Sequence, residues 1–142
     1  MADPRTDTSV VGIGELCATF DIDNSSIVYA ATSAGGSASV GLAVTITSAE
    51  TIATAADAEM VLGKLILVTA DNKATVQIKG GMTLPGGDSA SLTVGKKIVG
   101  AVDGSANEGY VREVDTSAAA ELGVARGFIV DAGTTTAIEL IL

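Results

Sequence analysis

The stretch Val61 to Gly81, VLGKLILVTADNKATVQIKGG, constrains this chain more than any other. An apolar run, Leu65 to Val68, meets a polar turn at Asp71-Asn72-Lys73, after which Thr75, Gln77 and Lys79 alternate with Val76 and Ile78. That pattern predicts a β-hairpin. The continuous apolar arm predicts a strand covered on both faces, and the alternating arm a strand with one wet face.

A similar outline recurs at the C-terminus, where Leu122-Gly123 precedes Phe128 to Val130, a turn at Asp131 to Thr135 and a closing strand Ala137 to Leu142. Upstream, Val40-Gly41 leads into the first unit and Val94-Gly95 into the second. The spacing from Gly41 to Gly63 is 22 positions and from Gly95 to Gly123 is 28. This predicts an internal duplication over 40–81 and 94–142.

Between these units the chain reads as short strands separated by turn residues. Val10 to Phe20, Ile27 to Ala31, Val40 to Thr47, Leu92 to Val94, Lys97 to Val102 and Tyr110 to Val114 are expected strands. Leu42, Val44 and Ile46 should share one face of theirs. Asp21 to Ser26, Thr32 to Ser39, Met82 to Ser91, Asp103-Gly104 and Asn107 to Gly109 are expected turns or loops. Ser48 to Met60 reads as strand then loop, because Thr51, Ile52 and Thr54 favour extension over a helix capped by Ser48. Ser117 to Leu122 is the best helix, with Ser117 as cap and Gly123 as stop. Residues 1–9 read as a flexible arm. The expectation is an all-β fold: one domain over 10–142, a β-sandwich or barrel of many short antiparallel strands with at most one or two short helices.

At 142 residues, 47% of them hydrophobic, the chain can bury a single core and is too apolar to stay unfolded. Only 3% is aromatic, so that core must be built from Val, Ile, Leu and Ala. The net charge of −9 sets the chain against polyanions. Its basic residues are scattered apart from Lys96-Lys97, read as a solvated strand end. Neither nucleic acid nor an anionic membrane surface is expected as a partner. The N-terminal MADPRTDTS lacks the basic and apolar regions of a secretory signal, and no apolar run reaches bilayer length, so a soluble protein made in the cytoplasm is expected.

Chemistry is hard to find. With no histidine, the usual neutral-pH general base, the Ser-His-Asp and Cys-His arrangements and most zinc sites are missing. The single cysteine, Cys17, reads as a packed small residue. Asp21-Ile22-Asp23-Asn24-Ser25 opens like a calcium loop, but Ser26 replaces the turn glycine and Thr32 the bidentate glutamate, so a turn is expected. Gly12-Ile13-Gly14 lacks the third glycine of a dinucleotide site. No catalytic residue, cofactor, metal or small-molecule substrate is expected.

Two resemblances follow from the motifs. Thr69 to Val76, TADNKATV, resembles the hairpin turn of lipoyl and biotinyl carrier domains; that would make Lys73 the modified lysine, with Asn72 an insertion before it. From about Val61 to Leu142 the chain resembles the capsid cement, or head decoration, proteins of tailed bacteriophages. The residues that carry this are Val76 to Gly80 (VQIKG), Leu92 to Val99 (LTVGKKIV), the turns at Asp103-Gly104 and Gly109-Tyr110, and Gly127 to Gly133 (GFIVDAG). The resemblance implies a β-rich homotrimer on the outer surface of a phage head that bridges neighbouring major capsid protein subunits. Tail-tube and fibre subunits share most of these features. The N-terminal arm, with Asp3, Pro4, Arg5, Val10 and Val11, is the expected place of partner contact.

Overall fold

The computed structural model describes residues 11–87, 92–104, 107–134 and 137–142. Ten strands run in chain order: β1 (Leu16–Ile22), β2 (Ala43–Ser48), β3 (Thr51–Thr54), β4 (Gly63–Val68), β5 (Lys73–Lys79), β6 (Gly81–Leu84), β7 (Ile98–Asp103), β8 (Asn107–Glu113), β9 (Phe128–Thr134) and β10 (Ala137–Ile141). One short helix, α1 (Ala119–Val124), and a 3-10 turn at Ala34–Gly36 complete the described elements. The fold is all-β.

The expected hairpin is β4 and β5, joined through a turn in which Asn72 takes φ of 60°, a left-handed conformation that asparagine tolerates. Its exposure differs from the sequence expectation on both arms. A register shift between Leu65 and Leu67 leaves Ile66 and Leu67 on the open side, so β4 is not covered on both faces. On β5, Gln77 is 6% exposed instead of wet, because its amide donates to the Gly81 carbonyl at 3.0 Å. A buried amide is tolerated where its hydrogen bonds are made.

β5 pairs with β1, β1 with β3, β3 with β2 and β2 with β4, which closes a five-stranded barrel. Every pair is antiparallel except β1 with β3, where Asp21 and Ile22 lie beside Thr51 and Ile52 in parallel. The expectation of purely antiparallel strands therefore fails at this seam. A parallel neighbour needs a long crossover, and the chain from Asp23 to Leu42 supplies it before β2 turns back into β3. The barrel encloses Ile22, Ile27, Val44, Ile52, Leu65, Val68, Ala74 and Val76.

The second half of the chain lays down the same plan. β6, β10 and β9 form one sheet and β7 and β8 another. Two bridges join them, Ile98 with Arg126 antiparallel and Gly86 with Val111 parallel. Going around, the order β6-β8-β7-β9-β10 repeats β1-β3-β2-β4-β5, with the single parallel contact at the corresponding place. The registers correspond as well. Ala18 faces Val76 as Met82 faces Leu140, and Leu65 faces Val76 as Ile129 faces Leu140. The Gly41 N–H donates to Leu65 as the Gly95 N–H donates to Ile129, both at 2.8 Å. The second ring encloses Met82, Leu84, Ile98, Val111, Ile129 and Leu140, together with Ala43, Ala55 and Val61 from the first half.

Backbone hydrogen bonds join the halves. The N–H of Ala58 donates to Gly100, Gly100 to Glu59, and Gly109 to Ala55, at 2.8 to 3.0 Å. Gly100 is needed there, since a Cβ at that position would stand 2.1 Å from the Ala56 carbonyl oxygen.

Several expected elements move, among them the turns at Asn107 to Gly109 and Asp131 to Thr135, which are strand in β8 and, as far as Thr134, in β9. Ile27 to Ala31 is not a strand: Asp23 accepts the N–H groups of Ser25, Ser26 and Ile27, and Ala30 bonds within its own loop, so those groups never reach a ladder. Leu92 to Val94 turns instead, with the Lys96 N–H on Thr93. Met82 to Ser91 begins as strand β6, because Met82 and Leu84 are buried against β10; residues 88–91 lie outside the described residues. On β2, Val44 is buried but Ile46 is exposed, so the expected Leu42-Val44-Ile46 face is only partly covered. The helix is shifted by two residues from Ser117–Leu122: it starts from Ala118 and runs through Gly123 instead of stopping there, and Ser117 donates its hydroxyl to Asp115 instead of capping it.

Candidate functional site

The expected partner-binding residues Asp3, Pro4, Arg5 and Val10 lie outside the described residues, while Val11 opens them. The chain there is anchored: the Gly12 N–H donates to Gly81 at 2.9 Å and the Gly81 N–H to Ile13 at 2.8 Å. Around this root Val11, Ile13 and Leu16 are 52%, 60% and 52% exposed. Three aliphatic side chains lie in water within six residues of a point fixed to β6.

Lys73, the carrier-like lysine, is the first residue of β5 and forms an ion pair with Asp21 of β1. The Asp21 carboxylate holds its ammonium above the ordinary value, which suits a charged anchor more than a nucleophilic amine. Cys17 is exposed, not packed, because the register slips between Leu16 and Cys17. Desolvation, then its hydrogen bond and charge interaction with Glu15, raise its thiol, so it is a poor thiolate. Lys64 donates to Thr83 at 3.1 Å, and burial pushes its ammonium down.

The turn expected at Asp21 to Ser26 is built on one carboxylate. Burial would raise Asp23, yet the N–H groups of Ser26, Ile27 and Ser25 and the Ser26 hydroxyl outweigh it and hold it low. All these contacts are internal. Among the described residues no group of three or more metal-ligating side chains exists.

A second charged centre was not foreseen. Arg112 of β8 bonds Asp57 at 2.8 Å and Glu121 of α1 at 2.7 Å. Arg112 and then the Asp115 N–H lower Glu121 to about 2, while Glu121 and Asp57 raise Arg112. The pairing connects the first half, β8 and α1.

One open cleft of about 460 Å³ lies between the halves. Ser26, Ser39, Leu42 and Thr54 form one side, and Asn107, Glu108 and Tyr110 at the start of β8 the other. Sequence reasoning took Asn107 to Gly109 as turn residues only. No local signal could have revealed the cleft, because its walls come from positions far apart in the chain. Among the described residues no helix is long and apolar enough to cross a membrane.

Comparisons with protein-family models, with curated proteins and with solved structures returned no match.

Proposed function

We propose that this protein is a structural virion protein, a capsid decoration subunit that binds the outer surface of a phage head and bridges neighbouring major capsid protein subunits. The observation that carries the proposal is the root of the N-terminal segment, where Val11, Ile13 and Leu16 stand exposed beside an anchored backbone. A fixed apolar root allows the preceding residues to dock on a partner without reorganising the ring behind them. The acidic surface keeps particles soluble and apart. A homotrimer would multiply modest contacts into firm attachment through effective concentration. The ion-paired Lys73 at the turn of its hairpin gives a carrier role less support, since a swinging arm needs a lysine free of its neighbours.

The test is co-sedimentation of the purified protein with expanded heads, alongside its native mass. Binding by a species of three chains, weakened at least tenfold when residues 2–9 are deleted, is the expected result. Binding undiminished by the deletion would retire the arm as the contact; no association with heads would retire the proposal.

A further inference from the structure

The cleft between the halves has an unusual hydrogen-bond balance. The Ser26 hydroxyl donates to Asp23 at 2.8 Å and accepts the Thr54 N–H at 3.0 Å. The Ser39 hydroxyl donates to the Ser26 carbonyl at 3.1 Å. The Thr54 hydroxyl donates to Glu108 Oε2 at 3.1 Å. All three hydroxyl protons are thus committed inside the protein, and lone pairs remain for the cleft. Glu108 Oε1 adds an acceptor with no protein partner among the described residues, and the Asn107 amide and Tyr110 hydroxyl add groups that both accept and donate. Leu42 and the Tyr110 ring supply the apolar surface, and no basic side chain lines the space.

Acceptors outnumber donors around this space, so a ligand rich in donors suits it best. An anion would meet Glu108 uncompensated, and an apolar group would strand its carboxylate away from water. A sugar brings an acceptor with each hydroxyl donor and no charge to meet the carboxylate. A guanidinium brings five donors and no acceptor, pairs with a carboxylate in a fork, and lies flat on an aromatic ring. An ammonium matches the charge but not the fork. The net charge of −9 favours the approach of a cation.

We propose that this cleft receives an arginine side chain presented by a partner polypeptide, with Glu108 pairing the guanidinium, Tyr110 carrying its face, and Thr54, Ser39 and Asn107 accepting its remaining N–H groups. The inference stands whichever protein supplies the arginine, so it can fail while the capsid reading holds, or the reverse.

The experiment is an NMR titration of the full-length, isotopically labelled protein with N-acetyl-arginine amide, beside the citrulline, lysine and methyl glucoside analogues. Saturating shifts are expected at the amides of Thr54, Glu108, Gly109 and Tyr110, with a Kd on the order of 1–10 mM, as suits one side chain. Citrulline amide, the same shape without charge, should bind at least tenfold more weakly. So should arginine amide to Glu108→Gln, which keeps the acceptor for Thr54. Equal binding of citrulline, equal or tighter binding of lysine, shifts by the glucoside alone, or no shift with arginine would each overturn the proposal. The citrulline comparison needs no variant and holds even if Glu108→Gln fails to fold.

Discussion

At the scale of single residues, the tightest constraint is the approach of backbone to backbone where the halves meet. Gly100→Ala places a methyl group 2.1 Å from the Ala56 carbonyl oxygen and 3.2 Å from the Ala55 Cβ, with no flexible side chain able to yield. The expected loss is about 1–3 kcal/mol, the range for overpacking a filled site, read as a lower urea midpoint with unchanged slope. Gly123→Ala, inside α1 where a Cβ would meet nothing, is the control and should leave the midpoint unchanged or raise it by up to about 1 kcal/mol, the helix preference for alanine over glycine. A control that falls as far as Gly100→Ala would remove the steric explanation. The sequence showed Gly100 only as a glycine within a strand. Its necessity comes from Ala56, which reaches it through tertiary packing.

At the scale of elements, α1 is too short to persist by itself, and its buried face is slight. It is held by Glu121, 12% exposed, on Arg112, 18% exposed. Glu121 titrates at about 2 in the folded chain against 4.5 ordinarily, so its contribution is fully present above pH 4.5 and is lost as the pH falls toward 2. Amide exchange across Ala119–Val124, corrected for its intrinsic rate, should therefore accelerate between pH 4.5 and 2. Glu121→Gln should flatten that dependence and speed exchange at neutral pH. A wild-type helix equally protected at both ends of the window would contradict the ion pair's role. The element was legible from its Ala-rich run, although Gly123, expected to stop it, lies inside it, and its anchor was not legible, since Arg112 lies on another element. Strands tell the same story. β2 to β5 and β7 followed from apolar patterning, whereas Ile27 to Ala31 had strand composition and lost its ladder to the Asp23 carboxylate.

At the scale of the whole molecule, the two rings share one strand plan but not one degree of self-sufficiency. The first barrel's buried cluster comes entirely from residues 22–76, whereas the second borrows Ala43, Ala55 and Val61. Expressed alone, residues 11–80 should retain dispersed amide resonances. Residues 81–142 should not fold until the first half is added, because their ring lacks three core side chains and the Ala55 and Glu59 carbonyls that accept the N–H groups of Gly109 and Gly100. A folded second half in isolation would show that the shared core is dispensable. The duplication expected from glycine spacing began at Val40 and Val94, and it paired Gly63 with Gly123. The strand register instead aligns Gly63 with Gly127 and extends the correspondence back to β1 and β6. Spacing alone misses this because the linkers before β4 and β9 differ in length while the hydrogen-bonded positions do not.

Taken by itself, the sequence determined the all-β class, the central hairpin, the neighbourhood of the described helix and the lack of histidine, because each depends on local periodicity, turn chemistry or simple composition. Tertiary structure alone decided the ring order, the parallel seams, the burial of Gln77 and the cleft around Glu108. Those features depend on which distant strands lie side by side. That pairing is selected by the burial of both cores together and not by any one segment's preference.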